Sequence, residues 1–311
     1  MLIEVDQKEF KNRFPKSTNP FITQNFLDLN AHKVEDLIYL IENKSKKIDI
    51  GLVVGLKNNT LLSPFSAPFG GFHFRHENIQ INEIEKFLDM LGEYLERNGL
   101  NSFKITLPPT IYCPTFNAKV IHTFLQNGFN IVSPEITSWV NLEKFTGIFS
   151  DSAVRTNCMK AIKNGLEFKK IEDDIEKEIA YQLIVENRRK FNRPIFMTFK
   201  DIMDTAELWP IDFFKVTDQN DGFLASAIFY RSHPTIIYAA FWGDTEDGRQ
   251  LCAMDMLSLN LWNYYKNLNY AYIDFGISTE NSVPNQGLIR FKEIHDAESS
   301  NRFSFILNRI L

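Results

Sequence analysis

The sequence predicts an α/β protein of mixed sheets built from two tandem units, and three observations carry that expectation. Short apolar runs of strand type alternate with helical runs along the chain. The order strand, strand, loop, helix, strand, helix, strand occurs twice. With 311 residues, 44% hydrophobic and 23% charged, the chain is long enough for two cores of roughly 150 residues each. The repeat places a first unit over residues 1–145 and a second over 146–311, joined near 142–152.

In the first unit, Ile48–Leu56 (IDIGLVVGL) and Thr60–Ser63 read as a strand pair, turned at Lys57-Asn58-Asn59 where asparagine accepts turn geometry. The loop SPFSAPFGGFHFRHEN follows. From Ile81 to Arg97, residues Ile84, Phe87, Leu88, Leu91 and Leu95 recur at three- and four-residue spacings, the stripe of an amphipathic helix. Ser102–Leu107 returns to strand, Ala118–Gln126 to helix, and Phe129–Leu142 to strand.

The second unit repeats the order. Val154–Leu166 is a basic helix, and the stretch between Lys170 and Trp209 reads as two moderate helices. Gly222–Tyr230 and Thr235–Phe241 form a pair around Ser232-His233-Pro234. The loop GDTEDGRQ, a helix over Leu251–Lys266, the strand Tyr270–Phe275, a helix opened by Pro284 and a final strand over Arg302–Leu307 complete it.

Composition excludes several classes. A net charge of −5 and a pI near 5.8 give no general attraction to nucleic acid or anionic lipid, so no DNA partner is expected. Cys113, Cys158 and Cys252 are widely spaced, without CxxC or Cys/His ligand spacing, which predicts reduced thiols and no metal. The six histidines show no HExxH or paired spacing. The amino terminus is acidic where a secretory signal would be basic, and no run approaches a membrane span, so a cytoplasmic protein without an integral membrane segment is expected.

The stretch Tyr272–Glu293, YIDFGISTENSVPNQGLIRFKE, carries the strongest functional signal. It places Asp274 at the end of an apolar strand, then a polar loop, then a helix bearing Asn285, Gly287 and Lys292. Sites built at the carboxyl ends of strands have this form.

Three segments resemble the Fem-like branch of the GNAT N-acyltransferase superfamily, which includes peptidoglycan aminoacyl transferases and related acetyltransferases. They are VRTNCMKAIKNGLEFK at Val154–Lys169, FWGD at Phe241–Asp244, and the stretch above, with its Asp-x-Gly, Asn-x-Gly-Leu and Phe-Lys. The resemblance implies two tandem GNAT-like units, acyl-CoA as co-substrate, and an amine acceptor that is a small molecule or a cell-envelope precursor. It also admits aminoacyl-tRNA as donor, although the low basic content disfavours tRNA. Against the GNAT pattern (Arg/Gln)-x-x-Gly-x-(Gly/Ala), which presents backbone amides to a pyrophosphate, the loop GDTEDGRQL has the wrong glycine spacing and three acidic residues. Gly70 and Gly71 beside Arg75 offer a more suitable anion environment for the donor.

The resemblance assigns Arg155, Asn157 and Lys160 to substrate binding, and a planar guanidinium suits a carboxylate or phosphate. Composition alone reads the same helix as a solvated basic face. Asp274 is a candidate catalytic or orienting carboxylate, or a cap for the turn after its strand. Lys292 is a candidate for binding a phosphate or an acyl carbonyl, or an ordinary helix lysine. Asn285 and Gly287 place amides at a helix start, Tyr238 and Trp242 line an acceptor pocket or the core, and His295 is the candidate base. The leading expectation is acyl or aminoacyl transfer to an amine; the alternative is a non-catalytic binding protein that kept the fold.

Overall fold

The computed structural model describes residues 1–43 and 49–308. It divides into two compact units, Met1–Ile136 together with the segment from Ser300, and Thr137–Ser299. The elements of the amino-terminal part are β1 (Leu2–Glu4), α1 (Gln7–Arg13), α2 (Gln24–Asn30), β2 (Asp36–Glu42), β3 (Ile50–Lys57), β4 (Thr60–Ser63), β5 (His73–Phe74), α3 (Ile81–Arg97), β6 (Ser102–Thr106), α4 (Pro114–Gln126) and β7 (Asn130–Asn141). After them come α5 (Ser152–Lys163), β8 (Glu167–Ile171), α6 (Asp174–Lys190), α7 (Phe199–Ala206), β9 (Ile211–Thr217), β10 (Phe223–Tyr230), β11 (Ile236–Asp244), α8 (Glu246–Gln250), α9 (Ala253–Asn267), β12 (Tyr272–Ile277), β13 (Thr279–Glu280), β14 (Val283–Pro284), α10 (Gln286–Ile294) and β15 (Ala297–Asn308).

The first unit orders its strands β1-β2-β3-β4-β6-β15, with β5 also paired to β3. Among the described residues every pairing is antiparallel except β4 with β6, which run parallel from Thr60↔Ser102 to Ser63↔Ile105 and are linked through α3. The β3–β4 turn holds Asn58 and Asn59 at φ 49° and 55°, the left-handed pair that a tight hairpin requires. Along α3 the predicted stripe Ile84, Phe87, Leu88, Leu91 and Leu95 is buried. Ile48, read from sequence as the start of β3, lies outside the described residues.

The second unit orders its strands β8-β9-β10-β11-β12-β7, and again the one parallel pair, β11 with β12, is linked through helices. Neighbouring residues of β9 and β10 feed different cores, as a pleated strand requires. Phe214, Ala227 and Phe229 join α5 and α9 through Val154, Leu257, Leu261, Trp262 and Tyr265, whereas Phe213 and Ile228 join α6 through Ala180, Leu183 and Ile184. Both units thus share one order and one sense of pairing. Unit one is closed by Ser304–Asn308 of β15 against β6, and unit two by Thr137–Asn141 of β7 against β12.

Three features differ from the sequence reading. The expected helix over Leu251–Lys266 is α9, which begins at Ala253 after Cys252 at φ 62°, and the stretch read as the loop GDTEDGRQ holds the short helix α8. The last strand begins at Ala297, earlier than Arg302. The sequence reading has no counterpart for β1, α1, α2, β2, β8 and β9: β1, α1, α2 and β8 are too short or too polar to stand out as periodic runs, whereas β2 and β9 are buried on both faces and so lack the alternation of a half-exposed strand. Among the described residues no helix is long and apolar enough to cross a membrane.

Candidate functional site at the parting of two parallel strands

Strands β11 and β12 pair over three positions only, Ile236↔Tyr272, Ile237↔Ile273 and Tyr238↔Asp274. Beyond Tyr238 and Asp274 both strands continue, β11 to Asp244 and β12 to Ile277, without pairing to each other. Their backbones part at these two residues. Just past the fork β11 carries a bulge, because Ile228 faces Phe241 and Phe229 faces Ala239 across β10, leaving Ala240 as the extra residue. A bulged residue stands outside the ladder and keeps backbone hydrogen-bonding capacity for something else.

Asp274 is almost fully buried. Its Oδ1 accepts the backbone N–H of Gly276, two residues on, at 3.0 Å, so it caps the end of β12 as the plainer sequence reading expected. Lys292, on α10 and equally buried, donates Nζ to the carbonyls of Gly276 at 2.7 Å and Ile277 at 3.0 Å. Its ammonium also lies 5.2 Å from the centre of the Phe275 ring, within reach of the ring's negative face. Lys292 is therefore no solvated helix lysine. Trp242 from β11 packs on Phe275 at 4.3 Å and on Phe291 at 5.3 Å, an aromatic cluster shared by β11, β12 and α10.

The opposite face of β11 supplies Tyr238, paired with Tyr230 across β10 with ring centres 6.0 Å apart. Near it Arg188, from the last turn of α6, is held below the ordinary guanidinium range by burial and then by Arg193, with Tyr238 and Glu280 pulling the other way. Its Nε is buried and has no hydrogen-bond partner. A buried guanidinium N–H without a partner beside a tyrosine has the chemistry to take up an oxyanion.

Asn285 caps α10 by accepting the Leu288 N–H. Gly287, in the first turn, is exposed, and a side chain there would approach only Asn285 Oδ1, at 3.7 Å. His295 is completely enclosed. Its Nδ1 lies 2.6 Å from the Phe291 carbonyl, its ring stacks on Phe291 at 4.0 Å, and Nε2 sits 3.1 Å from Asp255 Oδ1 without the alignment of a hydrogen bond. A ring so enclosed meets core and not solvent.

The residues of α5 are engaged by the second unit itself. Arg155 donates to the carbonyls of Phe149 at 2.9 Å and Ser150 at 2.6 Å, at a hollow of about 340 Å³ that also exposes Lys144, Asp296 and Glu298. Asn157 donates to Asp255 and Lys160 to the Gln250 carbonyl, so both tie α5 to the region of α8 and α9. Of the sequence candidates, Asp274 and Lys292 converge on Gly276, Tyr238 and Trp242 flank the fork, and Asn285 and Gly287 begin the helix that carries Lys292. Arg155, Asn157 and Lys160 bond elsewhere in the unit.

In both loops the amides of Gly70, Gly71 and Gly248 are already engaged. Gly70 N donates to Thr106 O and Gly71 N to Ser63 Oγ, so both are engaged inside the first unit, while Arg75 is exposed beyond them. In GDTEDGRQ, Gly248 N is capped by Thr245 Oγ1, Asp244 is held by Asn187 and Arg249, and a Cβ on Gly248 would stand 2.1 Å from Leu224 O. That glycine is required by close packing.

Sequence reading missed Arg188, Tyr230 and Asp255. Asp255 had a signal, an acidic residue in the apolar run Ala253-Met254-Asp255-Met256-Leu257. Arg188 had none, lying in the basic run Arg188-Arg189-Lys190 that closes a helix in the usual way.

By sequence, no family model and no curated protein matches the chain. By structure, the chain is similar to FemX, with a TM-score of 0.68 at 10% identity over 99% of this chain and 97% of that one. It is similar to L-PGS from Bacillus licheniformis, TM-score 0.58 at 12% identity over 96% and 91% of the two chains. It is also similar to a tandem GNAT protein from the clavulanic acid biosynthesis pathway, TM-score 0.55 at 8% identity over 100% and 99%. The chain has a mixed α/β, tandem GNAT fold of the Fem-like kind.

Proposed function

We propose that the protein transfers an acyl group from an acyl donor, acyl-CoA in the first instance, to the amine of a small molecule or cell-envelope precursor, and that the reaction takes place at the fork between β11 and β12. The parting of the two strands beside the Ala240 bulge is the observation that carries this reading. An extended amide-containing chain entering there meets backbone groups that no neighbouring strand satisfies, and can bind as a partial strand.

At the fork the neutral amine attacks the acyl carbonyl, a C–N bond forms, the C–S bond of the thioester breaks, and the amine proton ends on the departing thiolate. Tyr238, at the last paired position of β11, takes the role of passing that proton in this reading. Asp274 and Lys292 position the backbone of Gly276 and Ile277, Trp242 and Phe275 give the donor an apolar wall, and Arg188 receives an anionic group of donor or acceptor. The proposal needs no covalent enzyme intermediate.

Titration calorimetry with acetyl-CoA and with an aminoacyl-tRNA pool tests it. Saturable heat with acetyl-CoA, together with turnover that is lost in Tyr238→Phe, supports the reading. Heat with tRNA alone moves the donor to aminoacyl-tRNA, and heat with neither favours a non-catalytic binder. The engaged amides of Gly70, Gly71 and Gly248 favour that last alternative, since a phosphate cradle uses amides that are free to point at the anion.

A further inference from the structure

A second hollow, of about 220 Å³, lies wholly in the first unit between the end of α1, the segment leading to α2, and β5. Phe10 and Phe14 wall one side. Lys11 and Lys16, both exposed, stand at its edge, and no carboxylate lines it. Asn25 and Ser17 add polar groups, although Ser17 already donates to Asn19 O.

His73 closes the hollow. It is only 6% exposed, its ring stands edge-on to Phe10 at 4.9 Å, and neither ring nitrogen makes a hydrogen bond of normal geometry. The Ile22 backbone approaches closely enough to favour its proton, but burial outweighs this and leaves the imidazole neutral. A neutral imidazole offers one donor and one acceptor; with the donor turned to the Ile22 backbone, the other nitrogen is left without a partner in a buried position, which is costly. A group that enters the hollow can satisfy it.

We infer that this hollow binds a small organic anion, an oxyanion attached to a flat apolar body, with the apolar part against Phe10 and Phe14, the charge near Lys11 and Lys16, and one polar atom on His73. The inference is independent of the transfer reaction proposed above.

Benzoate and phenyl phosphate are suitable probes, with benzyl alcohol and inorganic phosphate as comparators, measured by calorimetry and by the ¹⁵N resonances of the His73 ring in the full chain. Saturable binding of benzoate or phenyl phosphate with a shift of the His73 nitrogens is expected, the tighter of the two deciding between carboxylate and phosphate. Benzyl alcohol and inorganic phosphate should each bind at least about tenfold more weakly, and Lys11→Gln with Lys16→Gln should weaken the better anion by about tenfold. His73→Phe keeps a flat aromatic ring without its nitrogens and should reduce binding while its circular dichroism stays unchanged. No saturable binding of either anion, equal affinity for benzyl alcohol, or full affinity in the double lysine variant would overturn the inference.

Discussion

Asp274 and Lys292 hold opposite ends of one residue: the aspartate accepts the N–H of Gly276 at 3.0 Å and the lysine donates to its carbonyl at 2.7 Å. They come from β12 and from α10, so the buried carboxylate and the buried ammonium fix where the helix sits against the strand's end. Buried charges of opposite sign that share a backbone segment stabilise only as a set, because removing one leaves the other in a poorly solvating interior. Lys292→Met should cost about 3 kcal/mol in urea denaturation and Asp274→Asn about 2 kcal/mol. The double variant should cost less than the sum by at least about 1 kcal/mol. Strict additivity would mean that the two act separately.

Gly276 itself has φ +69°, and a Cβ there would meet nothing within 4 Å. Backbone strain is therefore the sole expected penalty of a side chain. Gly276→Ala should lower stability by about 1 kcal/mol and Gly276→Asn by distinctly less, since asparagine tolerates the left-handed region. Thermal melts of the two variants that rank the other way would show that packing, and not φ, sets the choice.

Arg188 tests the chemistry of the fork. If its unpaired edge receives an anionic group, Arg188→Gln should raise KM by roughly tenfold with kcat little changed. Arg188→Lys should recover only part of the loss, because an ammonium cannot reproduce the planar fork. A fall in kcat at constant KM would instead place Arg188 in the transition state.

How much of this was legible in the sequence follows from what each residue does. The α3 stripe and the Asn58-Asn59 turn are local patterns, and they read correctly because periodicity and turn chemistry need no partner. The parting of β11 from β12 is a relation between strands separated by two helices, so no local pattern records it. Lys292 shows the same limit from the other side. Its Phe-Lys context marked it as unusual, but its partners are backbone carbonyls, which have no identity in a sequence. His295 read as a candidate base because histidine titrates near neutrality, whereas the packing of Phe291 and Phe149 around it is a property of the fold.

His73 gives the chain a predictable response to acid. Burial holds its pKa at about 4, below the ordinary 6.5, so between those values the unfolded chain binds a proton that the folded chain refuses. Stability is then fully present above pH 6.5 and falls as the pH drops toward 4, by up to about 3 kcal/mol from this one ring. His233, also lowered to about 4 by burial, adds to the same window, helped by the two backbone N–H groups of Thr235 and Ile236 that its Nδ1 accepts. In His73→Phe the loss between pH 6.5 and pH 4.5 should shrink markedly while His233 continues to contribute. At pH 7 the variant should be at least as stable as the parent, because an unpartnered imidazole has been replaced by a ring with nothing to satisfy. Urea titrations of both proteins at the two pH values check this, and an unchanged acid slope in the variant would mean that the His73 ring reaches water in solution.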